Sequence, residues 1–130
     1  MLVIDASMTL DACSRDEGFA VVAGHELLAP PLLWSEVRSV LHEAVWRRAV
    51  TRAFADRALA RFAGSGIRRR APARLGSEAW AVADELGVAK TYDAEYLALA
   101  RLLGCRVVTT DGRLRRGAER LRLVVGPTEL

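Results

Sequence analysis

Four acidic side chains stand where a predicted strand or loop gives way to a helix. They are Asp5, Glu36, Asp93 and Asp111, and each adjoins apolar sequence that should be buried. A single carboxylate at such a point caps a helix or a turn. Four carboxylates that meet in space would repel one another unless a divalent cation lay among them. The pattern therefore leaves two interpretations, namely separate caps or one metal site suited to phosphodiester chemistry.

The bulk composition restricts the class of protein. A chain of 130 residues, 52% of them apolar, predicts one folded domain over residues 1–130. No apolar run approaches the roughly 20 residues of a membrane span, and no signal peptide is evident, so we expect a cytoplasmic protein with no membrane partner. The net charge is +3, and Lys90 is the only lysine among 19 basic residues. Arginine is suited to phosphate because its planar fork donates two hydrogen bonds at once.

Short apolar runs alternate with amphipathic segments, which predicts an α/β fold with a mainly parallel sheet. The expected strands are 2–4, 27–29, 106–110 and 121–125, with 67–73 as a loop or an edge strand. The expected helices are 7–13, 16–23, 32–50, 51–63, 75–86 and 93–103, with 112–120 as a short basic helix or turn.

The predicted elements can bring the four acids to one edge of the sheet. Ligands of open parallel sheets bind beyond the carboxyl ends of the strands, and Asp5 and Asp111 follow two such strands. Asp93 and Glu36 lie near the starts of helices, which are found at the same edge. Each aspartate taken alone is adequately explained as a cap. Glu36 is harder to explain in that way, because it is flanked by apolar residues among which an unpaired carboxylate is costly.

The sequence blocks around these acids resemble PIN-domain endoribonucleases of the VapC toxin type. The matching blocks, which together extend from residue 3 to residue 114, are Val3-Ile4-Asp5-Ala6-Ser7, Ala29-Pro30 with Glu36-Val37, Thr91-Tyr92-Asp93-Ala94-Glu95-Tyr96-Leu97, and Val108-Thr109-Thr110-Asp111 with Arg113-Leu114. One position departs from the family pattern, because Ser39 stands where an asparagine is common. The resemblance implies a PIN-like three-layer fold, in which a mainly parallel sheet is flanked by helices.

The resemblance also implies a chemistry. It places the catalytic and metal-binding quartet at Asp5, Glu36, Asp93 and Asp111, with Mg²⁺ or Mn²⁺ as the cofactor. The three aspartates would hold the ion directly or through water, and Glu36 would bind it or orient the attacking water. Ser7, Thr109 and Arg113 are expected to contact the carboxylates or the phosphate. The expected activity is metal-dependent cleavage of RNA of the transfer or ribosomal class.

Partners follow from the same resemblance. Toxins of this type are neutralised by a VapB-type antitoxin encoded beside them, and they form homodimers or toxin–antitoxin hetero-oligomers. The two long helices between residues 32 and 63 offer an apolar groove for the antitoxin. The arginines after Asp111, namely Arg113, Arg115 and Arg116, are candidate phosphate contacts.

Three other interpretations compete with a nuclease. The first is a catalytically inactive PIN-like module that binds RNA or protein. The second is a phosphatase of the haloacid dehalogenase type, which needs an aspartate where Ser7 stands. The third is a nucleotide-binding Rossmann module, but no Gly-x-Gly-x-x-Gly motif follows Asp5.

Overall fold

The structure, a computed structural model, describes residues 1–130 and contains five strands and six helices. The strands are β1 (Leu2–Ile4), β2 (Leu27–Ala29), β3 (Arg68–Arg69), β4 (Arg106–Val108) and β5 (Val124–Val125). The helices are α1 (Ala6–Cys13), α2 (Leu32–Trp46), α3 (Arg52–Ala63), α4 (Leu75–Leu86), α5 (Tyr92–Leu103) and α6 (Gly112–Gly117). Short 3₁₀ turns lie at Ala20–Val22, Glu119–Leu121 and Pro127–Glu129.

All five strands form one parallel sheet in the order β3-β2-β1-β4-β5. The chain moves from β1 through β2 to β3, and then returns to place β4 on the other side of β1. The strand order therefore reverses between β1 and β4, where open sheets of this kind form a ligand crevice. In this register Ile4 pairs with Val108, so the residues that follow both strands reach the crevice together.

Helices cover the two faces of the sheet. Parallel strands require right-handed crossovers, which place α1, α2 and α3 on one face and α4 and α5 on the other. The first three helices pack against one another, and α5 packs against α4, β1 and β4. Strands β1 and β2 are wholly buried, as expected of a sheet covered on both faces. The α/β prediction with flanking helices is confirmed, and none of the helices is long and apolar enough to cross a membrane.

Several predicted boundaries are wrong for local physical reasons. The helix expected at 16–23 is a series of turns ending in Ala20–Val22, because Gly18 adopts a positive φ of 58°. Helix α2 ends at Trp46 rather than at residue 50, since Arg48 takes a left-handed backbone with φ 58°. The last strand is reduced to Val124–Val125, because the preceding Arg122 is also left-handed. The 67–73 segment does contain an edge strand, β3.

Candidate active site

Asp5 is the most constrained of the four acids. It follows β1 directly and caps α1, where its Oδ1 accepts a hydrogen bond of 2.9 Å from the backbone N–H of Met8. Its side chain is nearly closed to solvent, with 5% of the residue exposed. Burial raises the pKa of Asp5, and the nearby Asp111 carboxylate raises it further, while its hydrogen bonds act in the opposite direction. The predicted cap is therefore present, but it does not account for the side chain's other partners.

Two hydroxyl groups hold the Asp5 carboxylate in place. Thr109, which follows β4 and is fully buried, donates a hydrogen bond of 2.5 Å to Oδ2, and Ser7 Oγ lies 2.9 Å from Oδ1. The two hydroxyl oxygens are 2.9 Å apart, and the backbone N–H of Thr110 donates to Ser7 Oγ at 3.2 Å. The carboxylate thus bridges the ends of β1 and β4. Ser7 and Thr109 lie beside the carboxylate, where the sequence predicted contacts for them.

Asp111 is attached to the same network through its backbone. Its N–H donates to Thr109 Oγ1 at 3.0 Å, and its Oδ1 caps α6 by accepting 2.8 Å from the backbone N–H of Arg113. Only one side-chain oxygen is used for the cap. The other oxygen is free to face the crevice, so a cap and a ligand are compatible roles for this residue.

Glu36 enters the crevice from α2, about one helical turn after that helix begins. Its Oε2 accepts a hydrogen bond from the hydroxyl of Tyr96 on α5, and Tyr96 is only 1% exposed. Burial raises the pKa of Glu36, the bond from Tyr96 lowers it, and repulsion from Asp93, Asp5 and Glu95 raises it. The half-buried carboxylate of Glu36 therefore has one neutral hydrogen-bond donor, Tyr96, and several negatively charged neighbours.

Asp93 lies in the first turn of α5, at the same edge of the sheet. The residue is exposed at the rim, but partial desolvation of its carboxylate raises its pKa, repulsion from Asp111 adds to this effect, and the Arg113 guanidinium lowers the pKa. No hydrogen bond contributes to the pKa of this side chain. Asp93 is therefore held by its helix alone, whereas Asp5 is held by its partners.

The four carboxylates form one electrostatic cluster. Repulsion links Asp5 with Asp111, Asp111 with Asp93, and Glu36 with both Asp93 and Asp5. Among Asp5, Glu36 and Asp93, the one pKa that a cation lowers is that of Asp93, and the cation is Arg113. Asp5 and Asp111 do cap helices, but capping alone does not account for the mutual repulsion among the four carboxylates.

The donor set fits a hard divalent cation such as Mg²⁺ or Mn²⁺, because every side chain in the cluster offers carboxylate oxygen. No three His, Cys, Asp or Glu side chains of the chain are close enough to share one ion directly. Mg²⁺ usually keeps several of its waters and is bound through one or two carboxylates. The cluster therefore suits a hydrated ion that some of these residues bind through water.

Sequence reasoning missed Tyr96, which it treated as part of the apolar face of α5. A usable signal was present, because Tyr96 lies three residues after Asp93 and so lies on the same side of the helix. Ser39, the position that departs from the family pattern, is exposed on α2 one residue after Arg38. Its side chain lines the groove between α2 and α3.

Comparison with known families decides which fold family this crevice belongs to. The profile of the PIN domain matches residues 2–120, which is nearly the whole chain. The chain belongs to the PIN-domain family. This result confirms the family suggested by the four sequence blocks.

Individual relatives agree with this placement. The chain is 34% identical over 115 residues to the VapC ribonuclease Mb0985 of Mycobacterium bovis, and to the same extent to ribonuclease VapC9 of Mycobacterium tuberculosis. Each alignment covers 88% of this chain and 88% of the relative. These relatives match the VapC type that the sequence blocks suggested.

Solved structures share the fold. The crystal structure of PAE2754 from Pyrobaculum aerophilum superposes with a TM-score of 0.77 at 24% identity, over 98% of this chain and 91% of that one. A toxin–antitoxin complex from Klebsiella pneumoniae contains a chain with a TM-score of 0.68 at 18% identity, covering 98% of both chains. At these identities the likeness extends to the fold alone.

Proposed function

We propose that this PIN-domain protein is a metal-dependent endoribonuclease and acts as a VapC-type toxin. The observation that carries the proposal is the cluster of Asp5, Glu36, Asp93 and Asp111 at the crevice between β1 and β4, with the cation of Arg113 acting on Asp93. The similarity to VapC ribonucleases supports RNA as the substrate.

The four acids would hold Mg²⁺ or Mn²⁺, directly or through water. When bound, such an ion offsets the charge of the phosphate and makes a bound water more acidic. Asp5 is suited to the central position because Ser7 and Thr109 fix its orientation before any substrate arrives. Asp93 and Asp111 extend the same negative surface along the rim of the sheet, where both would interact with the bound metal ion.

The remaining roles fall to side chains around the cluster. Glu36 has a raised pKa and is held by Tyr96, so it is placed to orient the attacking water and accept its proton. Arg113 lies beside Asp93 and carries the positive charge that a phosphate needs. Ser7 and Thr109 fix the carboxylate of Asp5 through their hydroxyl hydrogen bonds. RNA of the transfer or ribosomal class is the proposed substrate.

The groove between α2 and α3 supports an antitoxin partner. Its apolar lining includes Leu41, Val45 and Leu59, and the ring of Trp46 is exposed at its edge. An amphipathic helix of a VapB-type antitoxin would bury these side chains. Homodimers and toxin–antitoxin hetero-oligomers are the proposed assemblies.

The proposal is tested by RNA cleavage with the purified protein. We expect cleavage of transfer or ribosomal RNA in Mg²⁺, loss of cleavage in EDTA, and recovery when Mn²⁺ is added. Asp93→Asn should abolish cleavage, while Asp84→Asn, an exposed aspartate on α4, should leave it unchanged. RNA binding without metal-dependent cleavage would favour the inactive binding module instead.

A further inference from the structure

A second concave surface begins at Gly112, the residue after Asp111, and carries the charge opposite to that of the acidic cluster. We propose that it binds a phosphate group of the RNA backbone next to the linkage that is cleaved. This arginine pocket has a volume of about 300 Å³ and is lined by Gly112, Arg115, Arg116, Glu119, Arg122 and Val124. The inference rests on the proposed nuclease function and assigns a part of the substrate to a place on the protein.

The charges of the pocket are unbalanced. Arg115 is paired with Glu129 at 2.6 Å, but neither Arg116 nor Arg122 lies within ion-pair distance of a carboxylate. Glu119 is the one acidic residue in the lining. Cations gathered in one concavity repel each other, so an anion entering it would be bound favourably.

One of the guanidinium groups, that of Arg115, is held by partners, while Arg116 and Arg122 are exposed and carry no ion pair. Glu129 Oε2 accepts from both Arg115 and the backbone N–H of Gly126, which fixes that arginine against the end of β5. Arg116 folds back over the start of α6, where a Cβ on Gly112 would lie 3.1 Å from its Nη1. A side chain at Gly112 would therefore meet the end of the Arg116 side chain. Planar guanidinium groups can donate paired hydrogen bonds to phosphate oxygens.

Arg122 has an unusual backbone for its residue type. It adopts φ 54° and ψ 28°, in the left-handed region, and Arg48 is the one other non-glycine residue with a positive φ. Glycine would take this conformation at lower cost. The chain nevertheless has an arginine there, and its side chain lines the pocket. The presence of arginine at position 122 is therefore better explained by the contribution of its side chain to the pocket than by its backbone conformation.

The position of the pocket matches a substrate that continues past the active site. Gly112 follows Asp111 directly, so the pocket begins one residue from a member of the acidic cluster. The acidic cluster would face the cleaved phosphate through a cation, and the arginine pocket would face a neighbouring phosphate directly. Phosphate contacts of this kind position a nucleic acid strand without reading its sequence.

The test measures RNA binding and cleavage separately. In an Asp93→Asn background, fluorescence anisotropy of a labelled RNA gives the Kd at several salt concentrations. We expect Arg116→Gln and Arg122→Gly each to weaken binding about tenfold. Each should also reduce the slope of log K against log salt by about 0.7. Arg120→Gln removes the same charge from the same segment outside the pocket lining, and should change the Kd less than twofold.

Arg122→Gly also separates a binding role from a structural one. Because glycine suits the left-handed backbone, this variant should keep or raise the Tm of the protein while RNA binding falls. A fall in Tm with unchanged RNA binding would show that Arg122 serves the fold, and would overturn the proposal for that residue.

The failure of this inference differs from the failure of the proposed function. If the unaltered protein cleaves RNA and the Arg116 and Arg122 variants bind it as the Arg120 control does, the pocket is not a substrate site. If Arg116→Gln and Arg122→Gly lose the binding of inorganic phosphate in calorimetry but still bind RNA, the pocket is a site for free anions, and the proposal is overturned. If the unaltered protein does not cleave RNA, yet the pocket variants lose RNA binding, the pocket stands and the nuclease function fails.

Discussion

The hydroxyl of Tyr96 donates a hydrogen bond to Oε2 of Glu36, and this bond joins α5 to α2 beside the acidic cluster. Burial and the neighbouring carboxylates raise the pKa of Tyr96, so its hydroxyl stays protonated and always acts as the donor. The bond therefore fixes the position of Glu36, although α2 and α5 lie on opposite faces of the sheet.

Tyr96→Phe should therefore impair catalysis while keeping the aromatic packing. Loss of a bond to a charged group costs about 1.5–3 kcal/mol. We expect kcat for RNA cleavage to fall about tenfold or more, with a smaller change in KM. The matched control is Tyr92→Phe, which removes a hydroxyl from an exposed tyrosine of the same helix. Equal rates for the two variants, measured in single-turnover cleavage assays, would exclude a positioning role for Tyr96.

Asp5 and Asp93 should differ in what they contribute to stability. Asp5→Ala removes the cap of α1 and the partner of Thr109, so the free energy of unfolding should fall by about 2 kcal/mol or more. Asp93→Asn removes a repelling charge that no hydrogen bond supports, so stability should stay the same or rise. Both variants should lack cleavage activity. Urea unfolding in EDTA measures the difference, and a destabilised Asp93→Asn protein would contradict this explanation.

The stability of the metal-free protein should depend on pH through the same cluster. The pKa values of Asp5, Glu36 and Asp93 are raised from 3.8, 4.5 and 3.8, so the folded protein holds more protons than the unfolded chain above those values. The cluster's contribution to stability is then lost as the pH rises through the raised pKa values.

The stability gained by Asp93→Asn should accordingly be larger at pH 7 than at about pH 3.5, which lies below the ordinary aspartate value of 3.8. Adding Mg²⁺ at pH 7 should shrink that gain, because the cation offsets the repulsion that the substitution removes. Urea unfolding of both proteins at the two pH values gives the comparison. A gain that is the same at both pH values would show that Asp93 is not part of a repelling cluster.

The groove between α2 and α3 gives a prediction about the partner. Trp46 is 81% exposed, so Trp46→Ala should change the free energy of unfolding by no more than about 0.5 kcal/mol. The affinity of the Trp46→Ala protein for the antitoxin encoded by the neighbouring gene should fall about tenfold or more, because exposed aromatic anchors dominate such interfaces. Trp80→Ala, at a 68% exposed tryptophan on α4, is the control. Calorimetry that finds equal losses for both variants would place the antitoxin elsewhere.

Local sequence signals predicted much of the fold. Apolar runs identified β1 and β2, and glycines at helix ends gave the limits of α4 and α5, which both stop before a left-handed glycine. The missed boundaries come from backbone conformations that composition does not reveal. Arginine rarely adopts a positive φ, so nothing in the sequence indicated that Arg48 would end α2 or that Arg122 would shorten the last strand.

The candidate site was predictable in its residues more than in its geometry. Asp5 and Asp111 were identified because each follows an apolar strand. Their shared crevice depends on β4 pairing with β1, which is decided by a crossover connection and not by either local sequence. The bond between Tyr96 and Glu36 was missed for the same reason, since the two residues lie 60 positions apart in the chain, on different helices.

The proposed nuclease function requires one cation site formed by Asp5, Glu36, Asp93 and Asp111. The most direct measurement is anomalous diffraction from crystals of the protein soaked in Mn²⁺, recorded for the unaltered chain and for Asp93→Asn. The account predicts a strong anomalous peak among the four carboxylates in the unaltered protein, and a weakened or absent peak in the variant. A fully soaked crystal with no peak in that crevice, or a peak unaffected by Asp93→Asn, would contradict it.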